Sequence, residues 1–496
     1  ERSIADAHPA CRGLCLGWFG VRNWMSNGIM SETDLIVLGA GPGGLAAAME
    51  AAMSGMRVVL INGSHLLGYG LHGTYKSKSL WELAKDLQVI HKLGKDFASY
   101  VRVDFERLYE QLSRGVEELS AIVLAQLSRM GITFVPGFAR FIDPHRVQVD
   151  GQTFTGRTIL IATGTRPRHL PEVAVDGYRI LTSDHVVDLR RPIQSIVILG
   201  AGVLGCEFAS IFAAFGMEVS LIDSQPRVLN SEDEDISAFL DRVFERARVR
   251  VFRQRHVRSV TTSGDGVRTM LEDGTELDSE AVLVAVGRVP NADRLGLEDI
   301  GVMTDSHGYV KVDRCMRTAV PHIYAVGDVA RRPDADDICL VHVAEAEGRH
   351  AVRSMQGQDS HLDYGHVPFI IFTHPMIAGV GDNEKMARAK IPEPRMARVE
   401  IANNHRLHAM RSFEGFVKLI VGPEGDDRIL GVRAVGPQAD TLLGEVSVMI
   451  EHGIPYSALL QSFHAHPSLS ESLHNAAKIL AGKYPDDVGL KHAAPA

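Results

Sequence analysis

Two stretches of this chain share one grammar. Residues 34–62, DLIVLGAGPGGLAAAMEAAMSGMRVVLIN, and residues 195–223, SIVILGAGVLGCEFASIFAAFGMEVSLID, each run from an apolar strand through a glycine-rich turn into a helix of small residues and out into a second strand. That order specifies a βαβ unit, because two neighbouring parallel strands need a crossover, and small side chains let the crossover helix lie close on the sheet. A chain holding two such units is committed to an α/β architecture with two parallel sheets.

Gly39, Gly41 and Gly44 in the first unit, and Gly200, Gly202 and Gly205 in the second, form G-x-G-x-x-G between strand and helix. The first glycine makes the tight turn, the second leaves room for a pyrophosphate, and the third lets helix and strand approach. The helix N-terminus then offers N–H donors and positive potential to phosphate. Two Rossmann-like dinucleotide-binding domains are therefore expected, and with them two nucleotides.

The residue closing each second strand reads the ribose. Asp223 in the second unit suits a free 2′-hydroxyl and repels a 2′-phosphate, so NAD(H) is favoured over NADP(H), although Arg227 lies nearby. Asn62 in the first unit replaces the acid with an amide, which still donates and accepts but makes a weaker ribose contact.

Between the units, Leu80, Leu83, Leu87, Ile90, Leu93 and Phe97 recur at helical spacing, as do Phe105, Leu108, Leu112, Val116, Leu119 and Val123. Both runs read as amphipathic helices with core-facing stripes. RVQVDGQTFTGRTILIATGT is a hairpin that closes on Thr163 and Gly164, and RTMLEDGTELDSEAVLVAVGRVPN repeats that pattern after the second unit. Asp328, in an Ala-x-Gly-Asp turn after a buried strand, reads equally as a helix N-cap or a site residue. From about residue 373 the composition changes to a strand pair, a helix from Thr441 and a His-rich end, the signs of a separate α+β domain.

The 496 residues are 45% hydrophobic, enough for several cores. A net charge of -9, with basic residues scattered, argues against nucleic acid as a partner, and the absence of an apolar run near 20 residues argues against a membrane span. Five cysteines, Cys11, Cys15, Cys206, Cys315 and Cys339, are odd in number and irregularly spaced, which argues against a disulfide scaffold and suits a reducing, cytoplasmic setting; Cys11 and Cys15 are close enough for a redox or metal pair but have no partner ligands nearby. Residues 1–32 read as an irregular leader, with Met30 placed where a chain beginning SETDLIVLGAG would start.

GAGPGG, the Thr163-Gly164 turn, GAGVLGCEFAS, VGRVPN, IYAVGD, HVAEAEG, FTHP and HAHPSLSE occur in one order. In that order they resemble the pyridine nucleotide-disulfide oxidoreductase family over roughly residues 33–480, and most of all its dihydrolipoamide dehydrogenases, mercuric reductases and soluble transhydrogenases. The resemblance implies an FAD-binding domain from residues 33–184 and 306–372, an NAD(H)-binding domain from 185–305, and a dimerisation domain from 373–496. It implies a homodimer whose active site is shared between subunits. It also places Asp328 on the FAD ribityl chain, beside the cofactor-binding Thr163 and Gly164.

One stretch departs from the family pattern. Where relatives carry Gly-Gly-x-Cys-x-x-x-x-Cys-x-Pro-x-Lys, this chain has GYGLHGTYKSK, with Thr74 for the flavin-proximal cysteine, Lys76 for the proline, and Tyr69 or Gly70 for the other thiol. A hydroxyl cannot hold electrons as a thiolate or disulfide. Lys78 still matches the lysine beside the flavin, with Glu207 as its implied partner, and His466 with Glu471 match the family's base and its orienting carboxylate. Soluble transhydrogenases resemble the chain at Thr74 but lack that histidine. The expectation is an FAD-dependent NAD(P)H oxidoreductase passing electrons directly to a small acceptor such as a quinone, with Tyr69, His72, Tyr75 and Lys76 lining the vacated pocket. A transhydrogenase, a silent nucleotide-sensing flavoprotein, and a dithiol substrate reacting at the flavin are the alternatives.

Overall fold

A computed structural model describes residues 33–66, 68–93, 103–189, 191–333, 338–358 and 361–483. The leader with Cys11 and Cys15, Phe97 and the last residues lie outside the described part.

The first sheet is built on β1 (Thr33–Leu38), β2 (Val58–Asn62), β3 (Thr133–Pro136), β4 (Arg140–Asp143), β5 (Arg146–Val149) and β6 (Gln152–Ile161), in the order β3-β2-β1-β6-β5-β4. Leu35, Ile36 and Val37 are fully buried because a parallel strand is covered on both faces. Asp150 and Gly151, both at positive φ, make the tight turn from β5 to β6. Ile323–Ala325 returns from beyond the second domain to pair with β6.

Helix α1 (Pro42–Met53) covers this sheet. It crosses α6, residues Val341–Met355, so closely that a Cβ on Gly348 would meet the Gly43 carbonyl oxygen at 2.2 Å. Any side chain at Gly348 would push the two helices apart.

The second sheet orders β10 (Arg250–Arg253), β9 (Glu218–Asp223), β8 (Ser195–Leu199), β11 (Ala281–Val284) and β7 (Ile180–Thr182). Strand β7 pairs in parallel with β11, so the expected boundary at 184/185 falls after a strand of the second sheet. The third sheet is antiparallel and begins at Phe369–Ile371, which pairs with Ile377–Gly381; the expected boundary at 372/373 likewise falls one strand late. Both strands are three-residue apolar runs whose sheet is decided by distant partners, not by local pattern.

Helices α2 (Gly68–Leu93) and α3 (Phe105–Arg129) are the two amphipathic runs. On α3, Tyr109 and Leu112 are buried in a core shared with the second domain, Phe105 meets Phe215 of that domain, and Leu127 joins the core of the first. Of the expected stripe, Leu119, between these contacts, is surface at 39% exposed, while Val116 and Val123 are half-buried.

Candidate active site

The two glycine turns are built alike. A Cβ on Gly39 would meet the Ala162 carbonyl oxygen at 2.3 Å, and one on Gly200 would meet that of Ala285 at 2.4 Å. A Cβ on Gly44 or Gly205 would lie 1.9 or 1.8 Å from the carbonyl oxygen of Gly39 or Gly200. Beside Gly41 and Gly202 nothing lies within 4 Å, so there the missing Cβ leaves open space. Gly41 and Gly202 are also the N-caps of α1 and α4 (Val203–Ala214), and neither helix start carries a side-chain cap. Free N–H groups at a helix N-terminus facing open space fit a pyrophosphate in both units.

The strand-end residues occupy matching positions. Asn62 Oδ1 accepts from the Ala40 N–H at 3.0 Å, while the Asp223 carboxylate accepts from the Ala201 N–H. Both hydrogens of the Asn62 amide are donated to backbone, to the carbonyls of Ser64 and His65, so only acceptor capacity is left for a ribose. Arg227 lies 3.3 Å from Glu234, which gives the nearby cation a partner within its own domain.

Thr163 donates its hydroxyl to the Asn291 carbonyl at 2.8 Å, the Asn291 amide returns a bond to the Thr163 carbonyl, and the Asn291 N–H reaches Gly164. The two repeated turns are thereby joined. Asp328 sits within a short 3-10 turn and caps nothing; its carboxylate accepts from the Thr165 hydroxyl at 3.1 Å. Burial raises its pKa, and the nearby Arg288 only partly offsets this. A desolvated carboxylate with one protein donor suits a polyol chain, and the N-cap alternative is set aside. Sequence reasoning did not single out Thr165 and Arg288, although they follow Gly164 and Gly287 in the two repeated turns.

Helix α2 joins all three bodies. Thr74, Lys78 and Trp81 follow one another at helical spacing; Thr74 is exposed, and the Trp81 indole N–H donates to the Thr373 carbonyl at 3.0 Å. Lys78 Nζ lies 2.7 Å from Glu207 Oε2, and the other oxygen of Glu207 accepts the Phe372 N–H at 2.9 Å. Glu207 is 3% exposed on α4, so the ammonium and the amide satisfy a carboxylate that burial alone would penalise.

His72 and Lys76 share a different face of α2. Lys76, 3% exposed, pairs with Asp188 of the second domain, and His72 Nε2 lies 4.0 Å from the same carboxylate. Burial would raise the Asp188 pKa, but the neighbouring His72 and Lys76 bring it down to about 2. The Tyr75 hydroxyl packs at Gly115 of α3. The expected pocket lining is therefore corrected: Lys76 at the proline position ties two domains together, His72 lies on the same side, and Tyr75 packs against α3 instead. The Tyr69 side chain lies outside the described residues.

No cysteine occurs on α2. Cys206 is fully buried, donates to the Ala201 carbonyl, and burial pushes its pKa well above the thiol range; Cys315 and Cys339 lie on other segments, in no disulfide.

In the third body, His466 Nδ1 lies 2.8 Å from Glu471 Oε1, and the Ser468 N–H donates to the other oxygen at 3.0 Å. Burial would raise the Glu471 pKa, but these bonds hold it below the ordinary value. The His466 side chain is 59% exposed. Phe463, three residues before it, is fully exposed.

Residues 33–348 match the family model described as pyridine nucleotide-disulphide oxidoreductase, and residues 367–477 match that family's dimerisation domain. The chain is 33% identical over 465 residues to a dihydrolipoyl dehydrogenase of Geobacillus stearothermophilus, covering 91% of this chain and 97% of the relative. It is 31% identical to a leghemoglobin reductase of Vigna unguiculata, with 90% and 87% covered. Among solved structures it resembles LpdA of Mycobacterium tuberculosis (TM-score 0.82, 30% identity, 90% of this chain and 99% of that one). It also resembles the HOCl-induced flavoprotein disulfide reductase RclA of Escherichia coli (TM-score 0.80, 26% identity, 90% and 100% covered). The chain belongs to the pyridine nucleotide-disulphide oxidoreductases, FAD-dependent enzymes that exchange electrons with NAD(H). Among the described residues, no helix is long and apolar enough to cross a membrane.

Proposed function

We propose that this member of the family is an NADH:acceptor oxidoreductase that reduces a small conjugated acceptor, such as a quinone, at the flavin itself without a thiol relay. The observation that carries the proposal is the pairing of Lys78, on a helix that holds no cysteine, with the buried Glu207 of α4. Gly39, Gly41, Gly44 and Asn62 would hold the FAD pyrophosphate and adenosine, with Asp328, Thr163 and Gly164 beside the ribityl chain. Gly200, Gly202, Gly205 and Asp223 would hold NADH. FAD, when bound, takes a hydride from nicotinamide and passes on two electrons.

The protein's own part is electrostatic and acid–base. Lys78 holds a positive charge at the more exposed end of its pair, where the buried Glu207 keeps it in place as charge develops nearby. Thr74, exposed one helical turn before Lys78, leaves a small polar surface where a thiol would have reacted. His466 from the partner subunit is the proton donor: Glu471 fixes its tautomer, so that Nε2 is the nitrogen left to carry the proton. That retained donor favours an acceptor that gains protons with its electrons over a second nicotinamide, which takes up a bare hydride.

The test is an anaerobic double mix. NADH should bleach the bound flavin, and menadione should then restore its colour quickly, while lipoamide, glutathione disulfide and thio-NAD should restore it slowly. Rapid recovery with thio-NAD would favour a transhydrogenase, and absence of bleaching would favour a silent flavoprotein.

A further inference from the structure

The short helix α7, His405–Ala409, sits against the loop that carries His466. Asn404 caps it by accepting from the Arg406 N–H at 3.0 Å, and its amide donates to the Ser468 carbonyl at 2.8 Å and the Ser472 hydroxyl at 3.2 Å. This tie sets the next residue, His405, against the proposed proton donor. His405 Nδ1 lies 3.3 Å from His466 Nε2, with the rings nearly perpendicular at 88°.

The tautomers follow from the donor inventory. An ionised Glu471 only accepts, so His466 Nδ1 keeps its hydrogen, and Nε2 is the nitrogen that gains and loses the exchangeable proton. That nitrogen faces a second imidazole nitrogen, a contact that is favourable only with one proton between the two. His405 is exposed, so water reaches its ring.

We propose that His405 is a positioning residue for His466: it holds Nε2 in line and returns the proton that each acceptor reduction removes. This rests on the reading of His466 as proton donor. NADH supplies two electrons and one proton per turnover, so an acceptor that takes two of each draws one further proton from the medium. His466 Nε2 gives up that proton, accepts another from His405 Nδ1, and the His405 ring is reprotonated from water. No other atom or electron is transferred.

The experiment uses the FAD-loaded homodimer with menadione, in the wild type and the His405→Gln, His405→Phe and His466→Gln variants, at low buffer concentration with and without added imidazole. Gln can still donate a hydrogen bond to Nε2 but cannot pass a proton through. His405→Gln should lower kcat by roughly 5- to 20-fold, leave KM and flavin reduction by NADH unchanged, and recover with millimolar imidazole. His405→Phe should fall as far and recover likewise. Wild-type turnover in both His405 variants alongside an impaired His466→Gln would overturn the role of His405 alone. A loss in the Phe variant that Gln restores and imidazole does not would reduce His405 to a structural support, which also overturns it. Wild-type turnover in His466→Gln would overturn the reading of His466 and this proposal with it.

Discussion

Lys78 Nζ lies 2.7 Å from Glu207 Oε2 and 4.4 Å from the centre of the Phe372 ring, so one ammonium joins helices from the two dinucleotide-binding units to the start of the third sheet. Removing the carboxylate would leave a part-buried ammonium with only an aromatic face. Glu207→Ala should slow flavin reduction by NADH about 100-fold with little change in flavin content. An unchanged stopped-flow rate would show that the pair is structural only.

The glycine turns separate folding from binding. Gly44→Ala and Gly205→Ala place a Cβ under 2 Å from a backbone oxygen, and soluble yield should collapse for both. Gly41→Ala and Gly202→Ala meet nothing within 4 Å, so both should fold. Gly41→Ala should come off the column with reduced FAD, and Gly202→Ala with full FAD but a KM for NADH raised about tenfold or more. Normal flavin content in the Gly41 variant and a normal KM in the Gly202 variant would contradict the two-cradle assignment.

Nucleotide choice rests on Asp223. Replacing it with Ala should remove repulsion of a 2′-phosphate and narrow the NADH/NADPH ratio of kcat/KM by about tenfold. A wild-type preference for NADPH would overturn the assignment at once.

Lys76 and Asp188 give an asymmetric stability prediction. Asp188→Ala leaves an ammonium buried without its carboxylate and should cost about 3 kcal/mol in urea unfolding. Lys76→Met should cost less, because the Asp188 side chain is 41% exposed and water can take over. Since folding lowers the Asp188 pKa from 3.8 to about 2, its contribution is complete above pH 3.8 and disappears as the pH falls towards 2. After solvent screening this contribution amounts to about 1 kcal/mol. Equal destabilisation by the two substitutions, or acid unfolding unchanged in Asp188→Asn, would count against the bridge.

What could be read from the sequence was what chain-local patterns encode. Gly39 and Gly200 sit in turns whose residue types follow from one backbone geometry, and His466 lies only five residues before Glu471, in the loop that leads into the helix Ser470–Leu480. Lys76 and Asp188 are 112 residues apart, and Asp188 belongs to no motif, so nothing local marked the lysine as an interdomain tie. The same holds for His405, brought to His466 by the hydrogen bonds of Asn404 across 61 residues. Periodicity identified α3 but could not say that Leu119 would be surface, because burial depends on what the helix packs against.

The central claim is that electrons reach the acceptor without passing through sulfur, and the most direct measurement is menadione reduction by a protein with no thiols. With Cys206→Ala, to suit its buried site, and Ser at positions 11, 15, 315 and 339, kcat/KM for menadione should stay within about twofold of wild type. Loss of turnover in that variant, while it still binds FAD and is bleached by NADH, would contradict the account.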